Sequence, residues 1–233
     1  MTWNPNQLNS SQGQAPARAA TQAAYLTQAF GWMFGGLLLT AAVAALVQSN
    51  QALLDFARGN FLILFLGQLA VVWVISLGIG RIGATAALGL FFAYAASLGL
   101  TVGLIVSIYT SSSVVTAFLS ASAMFGGAAL YGATTKRSLV GIGGFLSMAV
   151  LGLVVAIVVN MFLASGPFGL VISIIGVVVF TALTAYNVQR IQAGDLVAAY
   201  GSVEKASVIG ALSLYLDFIN LFLFLLRIFG SRR

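Results

Sequence analysis

Long uninterrupted apolar stretches, separated by short polar connections, dominate the chain from residue 26 onward. A helix needs about 20 apolar residues to cross the hydrocarbon core of a bilayer. The stretches therefore predict seven transmembrane helices, at 26–48, 61–80, 84–108, 114–133, 139–163, 168–189 and 206–228. The connections between them are short except for one, from Arg190 to Lys205, which we predict to be a longer polar loop. The pattern predicts an all-α membrane protein, with one seven-transmembrane-helix bundle over residues 25–233.

The first 24 residues lack this pattern. They are rich in Gln, Asn, Ser and Ala and have no apolar periodicity. A segment with so few apolar residues cannot bury enough surface to offset the entropy of ordering. We therefore expect residues 1–24 to form a flexible polar N-terminal tail.

The composition excludes several classes of protein. Hydrophobic residues make up 61% of the chain and charged residues 6%, whereas soluble domains carry about 25% charged residues. The sequence has no Cys and no His, which removes disulfides, thiol nucleophiles and the commonest general base and metal ligand. An intramembrane aspartyl protease needs two embedded carboxylates, and only one acid lies deep in a span. We expect no enzymatic activity, no cofactor and no nucleic-acid partner; the lipid bilayer is the first partner implied.

The basic residues predict the orientation of the bundle, because cytoplasmic loops of membrane proteins are enriched in Lys and Arg. With a cytoplasmic N-terminus, one side holds six basic residues and the outer loops hold only Arg58; the six are Arg18, Arg81, Lys136, Arg137, Arg190 and Lys205. The C-terminal Arg227, Arg232 and Arg233 disagree with this rule. Either they are tolerated outside, or the last segment dips and returns. Seven full spans are the favoured interpretation.

Several glycines recur at four-residue spacing, such as Gly31/Gly35 and Gly99/Gly103. Small residues one turn apart let helix backbones approach closely in lipid. We interpret these pairs as packing positions.

One acidic residue, Asp217, lies near the middle of the last span. Burying an ionisable residue in a membrane is costly, so its presence there is a hypothesis of function. A series of small and polar residues shares its helix face, because the members are spaced by three or four positions; they are Ser207, Gly210, Ser213, Asp217 and Asn220. Since lipid offers no hydrogen-bond partners, this stripe must face protein or water.

The preceding span offers a facing surface. Thr181, Thr184 and Asn187 recur every three residues there, and Asn187 can bond to Asp217. Gln68 and Asn160 are further polar residues within spans, either functional or simply hydrogen-bonded between helices. Asp217 itself has two interpretations: a structural carboxylate paired with Arg81, Arg190 or Arg227, or a titrating group of a gate or ion pathway. Burial and a nearby cation act in opposite directions on carboxyl titration, so the sequence leaves both open.

Two stretches resemble a known family. Residues 211–222, ALSLYLDFINLF, followed by Leu225-Leu226-Arg227, resemble the closing helix of the Bax inhibitor-1 family. Residues 184–191, TAYNVQRI, resemble the end of its sixth helix. The resemblance covers all seven spans in order and spacing, and the short loops and tails suggest a bacterial inner-membrane member.

The resemblance implies six helices surrounding the last one and a pH-sensitive calcium leak through the bundle. In the family pattern, two aspartates share a proton at a gate, with an arginine nearby. By position the second aspartate is Asp217 and the arginine is Arg81, whereas Asn187 replaces the first aspartate. Calcium would pass transiently, on oxygen ligands from Asp217, Asn187 and backbone carbonyls, without a stably bound metal. We expect a weaker leak or a shallower pH response than in two-aspartate relatives.

A second hypothesis comes from the same resemblance. Some bacterial relatives bind and restrain a membrane-anchored ATP-dependent protease. In this chain the polar tail at residues 1–24 would be the engaging segment. This would make the protein a membrane interaction protein, with or without a leak.

Overall fold

The structure is a computed structural model that describes the backbone of residues 6–231 and the side chains of residues 24–231. Within that part of the chain the regular elements are nine α-helices and one short 3₁₀ turn, Val140–Ile142. The helices are α1 (Asn6–Ser49), α2 (Gln51–Gly59), α3 (Phe61–Gly78), α4 (Ala84–Val106), α5 (Ser111–Thr134), α6 (Gly143–Leu163), α7 (Gly166–Ala193), α8 (Asp195–Tyr200) and α9 (Val203–Phe229).

Seven segments are long and apolar enough to cross a membrane: α3, α4, α5, α7, α9, the part of α1 from Ala24 to Ser49, and α6 with its preceding turn. The predicted seven-span, all-α fold is therefore confirmed. The last span is one continuous helix of 27 residues. At 1.5 Å per residue it is about 40 Å long, enough to cross the bilayer once. The alternative in which the last segment dips and returns is wrong.

The long polar loop predicted from Arg190 to Lys205 is also wrong, because most of it is helical. α7 continues to Ala193 and ends at Gly194, which adopts φ 80° and donates its N–H to the carbonyls of Arg190 and Ile191. The six-residue α8 follows, and Gly201 at φ 68° ends it. Glycine adopts this left-handed backbone without the steric cost of a Cβ, so the two glycines turn the chain around a short helix.

The second short helix, α2, was not predicted. The Asn50 side chain begins it by accepting hydrogen bonds from the N–H groups of Ala52 and Leu53, at 3.0 and 3.3 Å. Arg58 pairs with Asp55 at 3.4 Å on its exposed side, while Ala57 is fully buried. This nine-residue helix is too short to span a bilayer, so it packs at the end of the bundle against α1 and α4.

The helical backbone of α1 begins at Asn6, inside the segment for which the sequence predicts a polar tail. The apolar, membrane-length part begins at Ala24, close to the expected start of the membrane domain. Side chains before Ala24 lie outside the described residues, and the division at residues 24 and 25 stays a prediction.

α9 is the most buried of the seven spans: 78% of an 18-residue apolar stretch of this helix lies inside the protein. It packs extensively against α1, α5 and α7, and less against α4 and α8. The contacts of α3 are chiefly with α4, and those of α6 chiefly with α7. The enclosure of the last helix by all six others stays a prediction.

Close backbone packing joins α1 and α4. A Cβ added to Gly99 would lie 2.9 Å from the carbonyl oxygen of Thr40, and one added to Gly103 would lie 3.0 Å from the Ala44 backbone. The packing role predicted for this pair is confirmed. The prediction is wrong for Gly31, where a Cβ would meet nothing within 4 Å.

The alternation of the spans separates two ends of the bundle. The end that we call the basic face comprises residues 79–83, 135–139 and 194–202 and the adjoining helix ends. It carries five basic residues, Arg81, Lys136, Arg137, Arg190 and Lys205. The opposite face comprises α2, residues 107–110 and 164–165, and the end of α9, with Arg58 and Arg227.

Candidate ion-pathway site at the α7–α9 interface

Asp217 lies deep in the bundle. It is 14 residues from the start of α9 and 12 from its end, which is about 20 Å from either face. Its side chain is only 3% exposed. An embedded charge needs a polar partner or a change of protonation state, so the groups around this carboxyl determine what it can do.

The partner is Asn187 on α7. Its Nδ2 donates a hydrogen bond to Asp217 Oδ2 at 2.7 Å. The contact predicted between these two residues is therefore formed. Asn187 is half-buried. The pair is therefore partly exposed on its Asn187 side and is not sealed inside the core. An amide N–H favours a carboxylate as its acceptor, and such charge-assisted bonds are stronger than neutral ones.

Ser213 and Asn220 lie one turn to either side of Asp217 and are half-buried. The Ser213 hydroxyl donates to the Ile209 carbonyl at 3.0 Å, and the Asn220 amide donates to the Leu216 carbonyl at 2.8 Å. Both bonds stay within α9. These side chains share the Asp217 face without bonding to it, so they can line a path but do not hold the carboxyl in place.

The other residues of the two predicted polar faces of α7 and α9 make contacts within their own helix or with a neighbouring helix, and none of these contacts involves Asp217. Thr181 and Thr184 donate to carbonyls of their own helix, at 2.7 and 2.8 Å. At the N-terminal end of α9, the Ser207 hydroxyl donates to Gln28 of α1 at 2.9 Å. Gly210 lets Ile191 and Ala29 approach α9. Of the predicted stripe, only Asp217 meets a polar side chain of α7.

Arg81 does not pair with Asp217. The only ion pair among residues 24–231 is that between Arg58 and Asp55, and Arg81 is exposed. The reason is position: Lys205 Nζ donates to the carbonyl of Gly80 at 3.4 Å, which places the Arg81 loop beside the start of α9. Asp217 lies twelve residues further along that helix, about 18 Å away.

Arg227 has a structural role that the sequence did not predict. Its guanidinium packs against Gly169 at the start of α7. The amide of Asn160 is oriented so that both its oxygen and its nitrogen have a partner. The oxygen accepts from Arg227 at 3.2 Å, and the nitrogen donates to the Ser165 carbonyl at 3.0 Å. Arg227 therefore ties the end of α9 to the turn between α6 and α7. Asn160 is a hydrogen-bonded structural residue.

Two other buried polar clusters hold the helices together. The Thr40 hydroxyl donates to the Ala95 carbonyl at 2.8 Å and lies 2.6 Å from the Tyr215 hydroxyl. Gln68 donates to Thr101 at 2.8 Å and to the Ser97 carbonyl at 3.0 Å. The first cluster joins α1, α4 and α9, and the second joins α3 to α4. Gln68 therefore belongs to helix packing and lies on a different interface from Asp217.

Comparison with known proteins agrees with this architecture. Residues 22–233 match the family described as "Inhibitor of apoptosis-promoting Bax1". The chain belongs to the Bax inhibitor-1 family. The matched range covers all seven spans.

Several bacterial proteins align with this chain over nearly their whole length. Inner membrane protein YbhL of Escherichia coli K12 is 45% identical over 215 residues, covering 90% of this chain and 92% of YbhL. A protein of Deinococcus radiodurans is 44% identical over 209 residues, covering 89% and 90%. YrjE of Lactococcus lactis is 38% identical over 215 residues, covering 89% and 90%. This Bax inhibitor-1 family member is thus a multi-pass integral membrane protein, and the name of its relative YbhL places that relative in the inner membrane.

Proposed function

We propose that this protein is a calcium-permeable leak of the bacterial inner membrane whose path passes the Asp217–Asn187 pair. The observation that carries the proposal is the 2.7 Å bond from Asn187 Nδ2 to Asp217 Oδ2. It joins a 3% exposed carboxyl to a half-buried amide between two spans. Burying a carboxylate at this depth costs free energy, so its presence there favours a functional role.

The chemistry of Asp217 suits a hard divalent cation. Ca²⁺ binds carboxylate, amide and carbonyl oxygens, and Asp217 and Asn187 supply the first two. The other acids, Asp55, Asp195 and Glu204, lie at the ends of the bundle. Because those three acids lie far along the chain of helices from the middle of α9, a cation at Asp217 meets one carboxylate. A single charge favours passage over storage.

Asn187 sets the expected pH response. Two neighbouring carboxyls titrate as a coupled pair and share a proton, as the family resemblance implies for its two-aspartate members. An amide does not titrate in this range, so the pair in this chain gains or loses one proton at most. We propose a weaker flux and a shallower pH dependence than in two-aspartate relatives.

The remaining residues have secondary roles in this proposal. Ser213 and Asn220 line the path on either side of Asp217, on the same half-buried face of α9. Arg81 lies at the mouth of the path on the basic face, where it repels cations before they reach the carboxylate. We also propose that the basic face is cytoplasmic, because Lys and Arg accumulate on that side.

Calcium flux into proteoliposomes tests the proposal directly. We expect Asp217→Asn to lower the flux several-fold and remove its pH dependence, because the amide keeps the shape and loses the charge. Asp55→Asn is the matched control, since it makes the same change at an exposed acid of α2. A flux in Asp217→Asn equal to that of the wild type at every pH would overturn the proposal.

The protease-binding hypothesis depends on residues 1–24, whose side chains are outside the described region apart from Ala24. It stays a prediction. Co-purification with a membrane-anchored ATP-dependent protease, lost when residues 1–24 are deleted, would support it.

A further inference from the structure

Near the basic face, a pocket with charged side chains in its lining lies beside an apolar groove. The pocket has a volume of about 270 Å³, and its polar lining consists of Lys136, Ser138, Tyr186, Gln189, Arg190 and Asp195. The groove has a volume of about 560 Å³ and is lined mainly by Met124, Ala128, Tyr131, Val178, Ala182 and Ala185. Neither contains Asp217 or Asn187, so they are separate from the proposed ion path.

The groove lies between α5 and α7 and is bordered by Leu139 and Ile142 of the connection before α6. α5 and α6 each pack against α7, and the groove opens over α7, with small side chains such as Ala128, Ala182 and Ala185 in its lining. Along α7 the lining runs from Val178 to Ala185, which is about 10 Å of helix. Its mouth faces lipid, because Val178 is 65% exposed and Tyr131 is 52% exposed.

Pocket and groove border each other at the connection before α6 and on α7. Ser138 and Val140 line the pocket, whereas Leu139 and Ile142 between and beyond them line the groove. On α7, Ala185 belongs to the groove and Tyr186 to the pocket. A molecule with a polar head and an apolar tail that bridges this border would place its head at the end of α7 and its tail in the groove.

Gln189 shapes the pocket. Its amide accepts from the Leu139 N–H at 2.7 Å and donates to the Arg137 carbonyl at 2.9 Å. These bonds fix the connection between α5 and α6 against α7, so the pocket wall is held by hydrogen bonds and does not depend on a ligand. Lys136, which lines the pocket, belongs to this connection.

The charge of the pocket selects its occupant. Lys136 and Arg190 are positive and Asp195 is negative, which leaves a net positive charge. Within residues 24–231 neither Lys136 nor Arg190 forms an ion pair. Basic pockets between transmembrane helices at a membrane face suit anionic phospholipid headgroups, and Arg and Lys are strong phosphate ligands.

We infer that this pocket and groove form a binding site for one anionic phospholipid of the leaflet on the basic face. The phosphate lies between Lys136 and Arg190, and one acyl chain lies in the groove against Ala182 and Val178. This inference does not depend on calcium conduction.

Native mass spectrometry of the full-length protein tests the site. The protein is purified in detergent and mixed with equal amounts of phosphatidylglycerol, phosphatidylethanolamine and phosphatidylcholine. We expect preferential retention of one phosphatidylglycerol. Each Lys or Arg near a membrane surface contributes attraction for anionic lipid, so Lys136→Gln with Arg190→Gln should reduce this retention roughly tenfold or more.

Matched variants separate this site from general surface charge. Arg81→Gln with Lys205→Gln removes two positive charges from the same face outside the pocket and should leave retention unchanged. Ala182→Phe fills the groove and should reduce retention, whereas Ile174→Phe changes a 51% exposed position of the same helix outside the groove and should not. Both pocket charges lie near the surface of the bundle, and an unchanged thermal unfolding temperature verifies that their variant is folded.

Four outcomes would overturn the inference. Equal retention of all three lipids would indicate annular lipid only. Preferred phosphatidylethanolamine would assign the site to a zwitterionic head recognised with Asp195. Equal losses in the two charge variants would indicate general surface attraction. Displacement by the free headgroup glycerophosphoglycerol at the lipid's own concentration would show that the groove contributes nothing.

Discussion

At the residue scale, the Asp217–Asn187 pair is the main feature of the site. The sequence predicted it because Asp217 is the only acid deep in a span and Asn187 belongs to a polar series on the preceding span. Periodicity identifies the helix face on which a residue lies, and depth follows from the count of residues. Neither identifies a partner on a distant loop, which is why the pairing expected between Asp217 and Arg81 is absent while Arg227 contacts Asn160 and Gly169.

The hydrogen bond from Asn187 to Asp217 should contribute measurably to the free energy of unfolding. Asn187→Leu removes the donor and leaves a buried carboxyl without it, so the free energy of unfolding should fall by about 1–3 kcal/mol. Equilibrium unfolding in mixed micelles measures this change.

Asn220→Leu is the control for Asn187→Leu, since the Asn220 amide bonds only to a carbonyl of its own helix. The double variant Asn187→Leu with Asp217→Leu should recover part of the lost stability, because it removes both polar groups. A loss in Asn187→Leu no larger than that in Asn220→Leu would show that the bond contributes little.

At the element scale, hydropathy located the seven spans but not the two short helices. A transmembrane helix needs a long apolar stretch, and that signal survives without tertiary context. α2 and α8 are only nine and six residues long, shorter than helices that are stable alone. Their helicity depends on the Asn50 cap, on Gly194 and Gly201, and on packing against the bundle.

Close packing of α5 on α7 gives a prediction for Gly132. A Cβ there would lie 2.8 Å from Ala185 Cα and closer still to its carbonyl oxygen. Because both are backbone atoms that cannot rotate away, Gly132→Ala should destabilise the bundle by about 1–3 kcal/mol. Thermal unfolding in detergent should show a lower midpoint.

Gly127→Ala on the same helix is the matched control. A Cβ at Gly127 meets nothing within 4 Å, and alanine favours helix over glycine by about 0.5–1 kcal/mol. This variant should be neutral or slightly more stable. Equal behaviour of the two variants would contradict the close approach of α5 and α7.

At the scale of the whole molecule, an odd number of spans places the start of the first span and the end of the last on opposite faces of the bundle. The C-terminal end packs at the face opposite the basic one: Ser231 N–H donates to Ser113 at 2.9 Å, and Thr110 N–H donates to the Ser231 carbonyl at 3.1 Å. Arg227 is held there by Asn160 and Gly169. Such local contacts explain how a basic residue is accommodated on that face, which a count of loop charges cannot predict.

The proposed orientation has a direct test because the chain contains no cysteine. Ser112→Cys on the opposite face should react with a membrane-impermeant maleimide in intact spheroplasts. Ser138→Cys on the basic face should react only after the membrane is opened. Both serines are exposed, so access to the reagent depends on the side of the membrane. The reverse labelling pattern would show that the basic face is external.

In the proposed pathway one carboxyl and one amide, not two carboxyls, control passage through the bundle. Calcium flux across proteoliposomes, measured over a range of pH for the wild type and for Asn187→Asp, tests this proposal most directly. A second carboxyl at 187 can share a proton with Asp217, so we predict a larger flux and a steeper pH response in the variant. Equal flux and an equal pH response in the two proteins would contradict the account.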